Sequence, residues 1–102
     1  MNPPTVEARL LMFGGAHCGV CQALKPKLFA AVAERYPLMR CEYIDCADQP
    51  EVCAQASVFT LPVVRVYLGG QLWWEGARAF SVAELLAAVE RPYGLMFGAS
   101  GA

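Results

Sequence analysis

The residues that decide the fold read Leu10-Leu11-Met12-Phe13-Gly14-Gly15-Ala16-His17-Cys18-Gly19-Val20-Cys21. The apolar run Leu10–Phe13 has the look of a buried strand, and Gly14-Gly15-Ala16 breaks it. Beyond the break, from about Cys18 to Arg35, Leu24, Leu28, Ala31, Val32 and Arg35/Tyr36 recur at the three-to-four spacing of one buried helix face. Pro26 is expected to kink that helix, and Pro37 closes the segment. The Cys-x-x-Cys pair therefore falls where a strand ends and a helix begins. At that position two intervening residues permit a small disulfide ring. The first cysteine meets the positive end of the helix dipole, which favours a thiolate. Gly19 keeps the surface open, and Cys21, one turn in, is the more buried sulfur, suited to resolving a mixed disulfide. His17 directly precedes Cys18; protonated it would favour the thiolate, and neutral it could shuttle a proton.

Outward from this junction, Met39–Asp45 reads as a second strand, with Met39, Cys41 and Tyr43 on one face and Arg40, Glu42 and Ile44 on the other. Pro50 suits the first turn of a short helix over Pro50–Ala56. Val63–Leu68, β-branched and aromatic, is a third strand. Gly69-Gly70 is a hairpin turn, and Gln71–Glu75 a fourth strand with Leu72 and Trp74 on one face and Trp73 on the other. Ser81 and Glu84 have capping-box spacing, opening a helix expected to run to about Glu90 and stop at Pro92. The order is β-α-β-α-β-β-α. Strand–helix–strand units imply parallel pairing of the first three strands, with an antiparallel final hairpin. Residues 1–5 read as a loose start and Gly98–Ala102 as a frayed end.

With 102 residues the chain suits one domain, residues 1–102, with a core over about 9–91 and a tail over 92–102. Apolar residues make up 57% and charged residues 17%, which excludes a disordered chain. Eight Lys/Arg against nine Asp/Glu give a net charge of −1 and no basic stripe for nucleic acid. No apolar run approaches the ~18 residues of a membrane span, and the start Met1-Asn2-Pro3-Pro4 is unlike a signal peptide, so a cytoplasmic protein is expected.

Five cysteines, Cys18, Cys21, Cys41, Cys46 and Cys53, cannot all pair within one chain. In a reducing compartment clustered cysteines point to redox chemistry or metal. Half of a metal site is the alternative for Cys18 and Cys21, but the second Cys-x-x-Cys that such a site would use is missing. Cys41 and Cys53 read as small buried hydrophobes. Cys46 ends the second strand on the active-site edge, and a Cys46–Cys53 disulfide across the loop is the competing reading.

Ala16–Cys21 followed by Pro26 resembles the active-site segment of thioredoxins, whose proline also stands five residues past the second cysteine. Pro50–Pro62 is similar, without a gap, to the family stretch leading into its cis-proline, and Gly70, eight residues after Pro62, matches the glycine of the last hairpin. The likeness covers about residues 9–91. It implies an α/β thioredoxin-like fold, a four-stranded mixed sheet flanked by helices. It also implies a cis Leu61–Pro62 bond, with the proline ring against the disulfide and the Leu61 backbone free to pair with an extended substrate.

Several positions depart from the family. Only 17 residues precede Cys18, where thioredoxins carry a further strand and helix. Met12 takes the place of the buried aspartate, and Cys41 is aligned with its lysine partner. Val20 replaces the usual proline and His17 the usual tryptophan; in the family, changes within the dipeptide between the cysteines alter the redox potential. The reducing half of the roughly −270 to −120 mV range is expected. Thr60-Leu61-Pro62 also resembles the glutaredoxin Thr-Val-Pro, although Gly69-Gly70 lies before the last strand rather than after it.

The expected activity is thiol–disulfide exchange on protein disulfides, with Cys18 attacking and Cys21 resolving. His17, Gly19, Val20, Leu61, Pro62 and Gly76 would form the docking groove, with Arg78 nearby. An external thiol reductant or reductase would reset the pair, and no metal, nucleotide or flavin is implied. Trp73 is expected to cover the place of the missing strand and helix or to meet the Leu95-Met96-Phe97 tail, with a dimer patch as the alternative; a monomer is expected. A thioredoxin-fold binding or assembly module with little turnover is the other functional reading, motivated by the lost acid. Metal binding at Cys18 and Cys21 is a third.

Overall fold

Alternation along the first strand sends Leu10 and Met12 to one face and Phe13 to the other, and each face is covered by helix. The computed structural model describes residues 7–98. Its elements are β1 (Ala8–Gly14), α1 (Gly19–Arg35), β2 (Met39–Asp45), α2 (Pro50–Gln55), β3 (Val63–Leu68), β4 (Gln71–Ala77) and α3 (Val82–Phe97). The four strands form one sheet in the order β2-β1-β3-β4. On one face, Leu10, Met12, Val64 and Val66 meet Leu28 and Val32 of α1 and Leu85, Val89 and Tyr93 of α3. On the other, Phe13 and Val63 pack with Cys53 of α2 and with Val58. The β-α-β-α-β-β-α order and the mixed four-stranded sheet agree with the sequence reading.

The sense of β3 does not. β1 and β2 are parallel, but β3 runs antiparallel to β1 as well as to β4. A parallel β3 would need a crossover running back along the full strand, about 20 Å for six or seven residues. The connection from Asp45 to Val63 is long enough to cross, but its only helix, α2, supplies six residues and about 9 Å, and the rest of it turns. The connection instead folds back at one edge of the sheet. Cys46 N donates to Gly14 O at 2.9 Å, and Val63 pairs with Phe13, so β2 ends and β3 begins beside the end of β1.

Pro92 does not end the last helix. α3 continues to Phe97, and Tyr93, expected in a tail, is buried in the core. A proline at 92 removes the amide that would donate to the Ala88 carbonyl. Trp73 Nε1 donates to that carbonyl at 3.3 Å instead. This contact also corrects the expected split of the tryptophans. The β3–β4 register shifts between Val66 and Tyr67, pairing Val66 with Trp74 and Tyr67 with Leu72, so Trp73 is the extra residue of a bulge. Both indoles consequently serve the α3 side: Trp73 reaches Ala88, and Trp74 packs on the main core and edge-on against Phe80 at 5.5 Å.

The start of α3 is built as expected. Ser81 Oγ accepts from Glu84 N and Glu84 Oε1 accepts from Ser81 N, both at 3.0 Å. Gly69 and Gly70, at φ 61° and 84°, supply the left-handed pair that a tight hairpin requires. Between α1 and α3, Tyr36 Oη donates to Leu86 O at 2.5 Å, and Tyr93 Oη accepts from Leu38 N at 3.0 Å. The expectations for residues 1–5 and 99–102 lie outside the described residues.

Candidate active site

Cys18 is the N-cap of α1, and its Sγ accepts from Cys21 N at 3.2 Å. The preceding loop is fixed by two bonds to one carbonyl: Cys18 N and Gln22 Nε2 donate to Gly15 O at 3.2 and 3.0 Å. Cys18 and Cys21 are joined as a disulfide, with Cα atoms 5.2 Å apart. Cys21 is fully buried, whereas Cys18 is half-buried. Only the Cys18 sulfur is placed for a partner approaching from outside. No acidic residue stands in the first turn of α1, so nothing there offsets the positive end of the helix.

The rim is formed by three loops. Gly15, Ala16, His17, Cys18, Ala47 and Leu61 line a cleft of about 290 Å³. The Leu61–Pro62 peptide bond is cis. Pro62 is buried, and Leu61 makes no backbone hydrogen bond among the described residues. Gly19 and Val20 stand on the exposed shoulder beside Cys18, Val20 with 58% of its surface open. Ala47 was not singled out in the sequence. The signal for it was the parallel pairing of β1 and β2, which brings the residue after Cys46 to the same edge as the residue after Gly14.

Gly76 is not part of this rim. It lies in β4, buried and paired with Val64, and the Trp74 and Phe80 side chains fill the space over its Cα. β4 runs on to Ala77, two residues further than expected, and Arg78 takes the place beside the groove. Arg78, at φ 64°, donates its amide to Pro62 O at 2.9 Å.

Cys46 and Cys53 form a second disulfide, Cα to Cα 5.7 Å, which ties the end of β2 to α2. Cys53 is also buried in the smaller core, so the two readings of it coincide. Cys41 is a free, half-buried thiol whose burial pushes its pKa up. The residue opposite Met12 on β2 is Tyr43, whereas Cys41 pairs with Leu10. Met12 itself is fully buried. Among the described residues no group of three or more His, Cys, Asp or Glu side chains is placed to hold a metal ion, and no helix is long and apolar enough to cross a membrane.

A disulfide at a helix N-terminus, flanked by a cis-proline loop on a four-stranded mixed sheet, defines the class: a thiol–disulfide oxidoreductase of thioredoxin fold. The family model described as Thioredoxin matches residues 5–91, and the chain belongs to that family. It is 32% identical over 81 residues to a thioredoxin-like protein, YdfQ, of Bacillus subtilis, covering 79% of this chain and 71% of that one. Thioredoxin 1 of Thermosipho africanus superposes with a TM-score of 0.76 at 30% identity, over 85% of this chain and 96% of its own. Thioredoxin O2 of Arabidopsis thaliana, at 20% identity, shares the fold with a TM-score of 0.75 over 86% of this chain and 76% of its own.

Proposed function

We propose that the protein reduces disulfides in protein substrates through Cys18 and Cys21. The observation that carries this is the inequality of the two sulfurs, with Cys18 capping a helix at an open cleft and Cys21 sealed behind it. In the reduced state the Cys18 thiolate attacks one sulfur of the substrate disulfide. That bond breaks, and its electron pair leaves on the other substrate sulfur. Cys21 then attacks Cys18 Sγ, the mixed disulfide breaks, and the second substrate sulfur departs as a thiolate. The substrate has gained two electrons, the Cys18–Cys21 disulfide has formed, and an external dithiol or reductase returns the electrons. The unpaired backbone at Leu61 supports docking of an extended chain by strand addition, with His17 and Ala47 as walls and Val20 on the open shoulder. A monomeric cytosolic protein is part of this reading.

The test is reduction of a disulfide-bonded protein by wild type and by Cys18→Ser, with a small dithiol as reductant. Turnover in wild type and none above background in the variant is expected. Equal rates would overturn the proposal. The buried Met12 favours one second reading, a module that binds through the same cleft and turns over poorly. That reading predicts capture of an extended peptide with equal affinity in wild type and Cys18→Ser, alongside negligible turnover.

A further inference from the structure

Resting on that exchange reading, we propose that the Tyr43 hydroxyl is the hydrogen-bond donor that holds the Cys21 thiolate during resolution. Two placements carry this inference. Tyr43 Oη and Cys21 Cβ crowd one point: they lie 2.5 and 3.1 Å from where a Cβ on Gly14 would stand. Only a glycine at 14 lets them approach. Moreover, Tyr43 Oη is the one buried side-chain oxygen or nitrogen without a hydrogen-bond partner among the described residues. A buried hydroxyl left unpaired is costly, and its persistence asks for a partner in another state of the molecule. The disulfide supplies that state. While the Cys18–Cys21 bond is closed, the Cys21 sulfur carries no charge; when it opens, a thiolate forms beside the hydroxyl.

The neighbours fit a donor rather than a base. Burial, and secondarily Asp45, pushes the Tyr43 hydroxyl pKa up; the nearby Gln22 amide, whose donor bond goes to Gly15 O and not to the hydroxyl, opposes. The phenol thus keeps its proton. Lys25 Nζ sits 4.3 Å from the ring centroid; Cys41 and Asp45 flank Tyr43 on the same face of β2, Arg40 and Glu42 lie on the opposite face, and Met12 and Gly14 of β1 bring no charge. In the step itself, the Cys21 proton passes to water and Tyr43 transfers none. Cys21 attacks Cys18 Sγ, and the electron pair of the breaking bond leaves on the substrate sulfur.

The consequence has a sign that changes with pH. A hydrogen bond raises the thiolate fraction but makes each thiolate less nucleophilic, with a Brønsted slope of about 0.4–0.5. Losing a bond that shifts the thiol equilibrium tenfold should slow resolution about threefold at neutral pH, and speed it about threefold where Cys21 is ionised in both proteins.

The experiment is stopped-flow reaction of reduced protein with one equivalent of dithiobis(nitrobenzoate). Cys18 captures one thionitrobenzoate; its release by Cys21 is a unimolecular phase, identified by its absence in Cys18→Ser. In Tyr43→Phe we expect that phase to be about threefold slower at neutral pH and faster than wild type at the alkaline pH where Cys21 is ionised and the Tyr43 phenol still holds its proton. The capture phase should be unchanged. Lys25→Met, which removes the ammonium and keeps the hydroxyl, should release at the wild-type rate at both pH values. Unchanged release in Tyr43→Phe at both pH values would overturn the inference. So would a shift in Lys25→Met with none in Tyr43→Phe. Tyr43→Trp, which fills the site without a hydroxyl, repeats the test should the phenylalanine variant fold poorly. Failure of wild type to show the unimolecular phase at all would instead sink the exchange reading.

Discussion

The indole Nε1 of Trp73 donates to the carbonyl of Ala88, the acceptor that Pro92 leaves vacant four residues further along α3. One side chain on an edge strand thus replaces a helical hydrogen bond that the sequence of α3 cannot make. The bulge that turns Trp73 towards α3 and the proline that frees the carbonyl belong to different elements, yet each makes sense of the other.

Trp73→Phe should therefore destabilise the fold by about 1 kcal/mol, the worth of a typical hydrogen bond at a half-exposed site. Pro92→Ala restores an amide able to serve Ala88. In that background the cost of Trp73→Phe should shrink, giving a non-zero coupling in a double-mutant cycle measured by denaturant unfolding. Strict additivity would show that the two residues act independently.

Gly76→Ala should cost about 1–3 kcal/mol, as overpacking does in a filled core. An added methyl would come within 2.8 Å of Phe80 Cγ and would overlap Trp74 as well. Thermal unfolding reads the loss, and tryptophan fluorescence should report a disturbed Trp74–Phe80 edge contact. If Gly76 instead lined an open groove, alanine there would leave stability unchanged and alter substrate affinity.

Opening the Cys46–Cys53 bridge, by Cys46→Ala with Cys53→Ala, should lower stability by about 2–3 kcal/mol, the entropy of closing a short loop in the unfolded chain. Hydrogen exchange should rise in α2 and in the residues after β2, and far less in α3. Uniform loss across the molecule would argue that the bridge holds more than its own loop.

Stability should also fall in mild alkali because of Cys41. Burial raises its thiol pKa above the ordinary 9.0, so the folded chain holds a proton that the unfolded chain releases. The contribution is fully present below about pH 9 and is lost as pH rises from there through the folded value. Cys41→Ala should lose less stability than oxidised wild type over that window, measured anaerobically. Tyr36 and Tyr43, also raised by burial, titrate from a higher starting value of 10.0 and remain in both proteins.

What the sequence revealed follows from how local each signal is. Cys18 and Cys21 lie three residues apart across one helix start, so their meeting needs no tertiary information. The Ser81–Glu84 capping box and the Gly69-Gly70 turn are equally local. Features that depend on two distant segments were missed or displaced. The direction of β3 hangs on whether the connection crosses the sheet or folds back, which its apolar pattern does not encode. Trp73 obeys alternation in sequence and breaks it in space, because a bulge is a property of the pair of strands. Tyr43 was placed on the right face, but its standing opposite Met12 depends on the register between two strands, which the pattern of neither strand states. The cleft shows the same split: His17 and Leu61 sit in motifs, whereas Ala47 and Arg78 arrive through strand order and a backbone bond to Pro62.

Two disulfides in one chain change its electron capacity. With both bridges closed the molecule is a four-electron acceptor, twice what the Cys18–Cys21 couple alone would store. A coulometric titration should therefore count two equivalents drawn at the cleft and two at the foot of α2. The stoichiometry alone, before any rate is measured, will tell whether a given reductant reaches one reservoir or both.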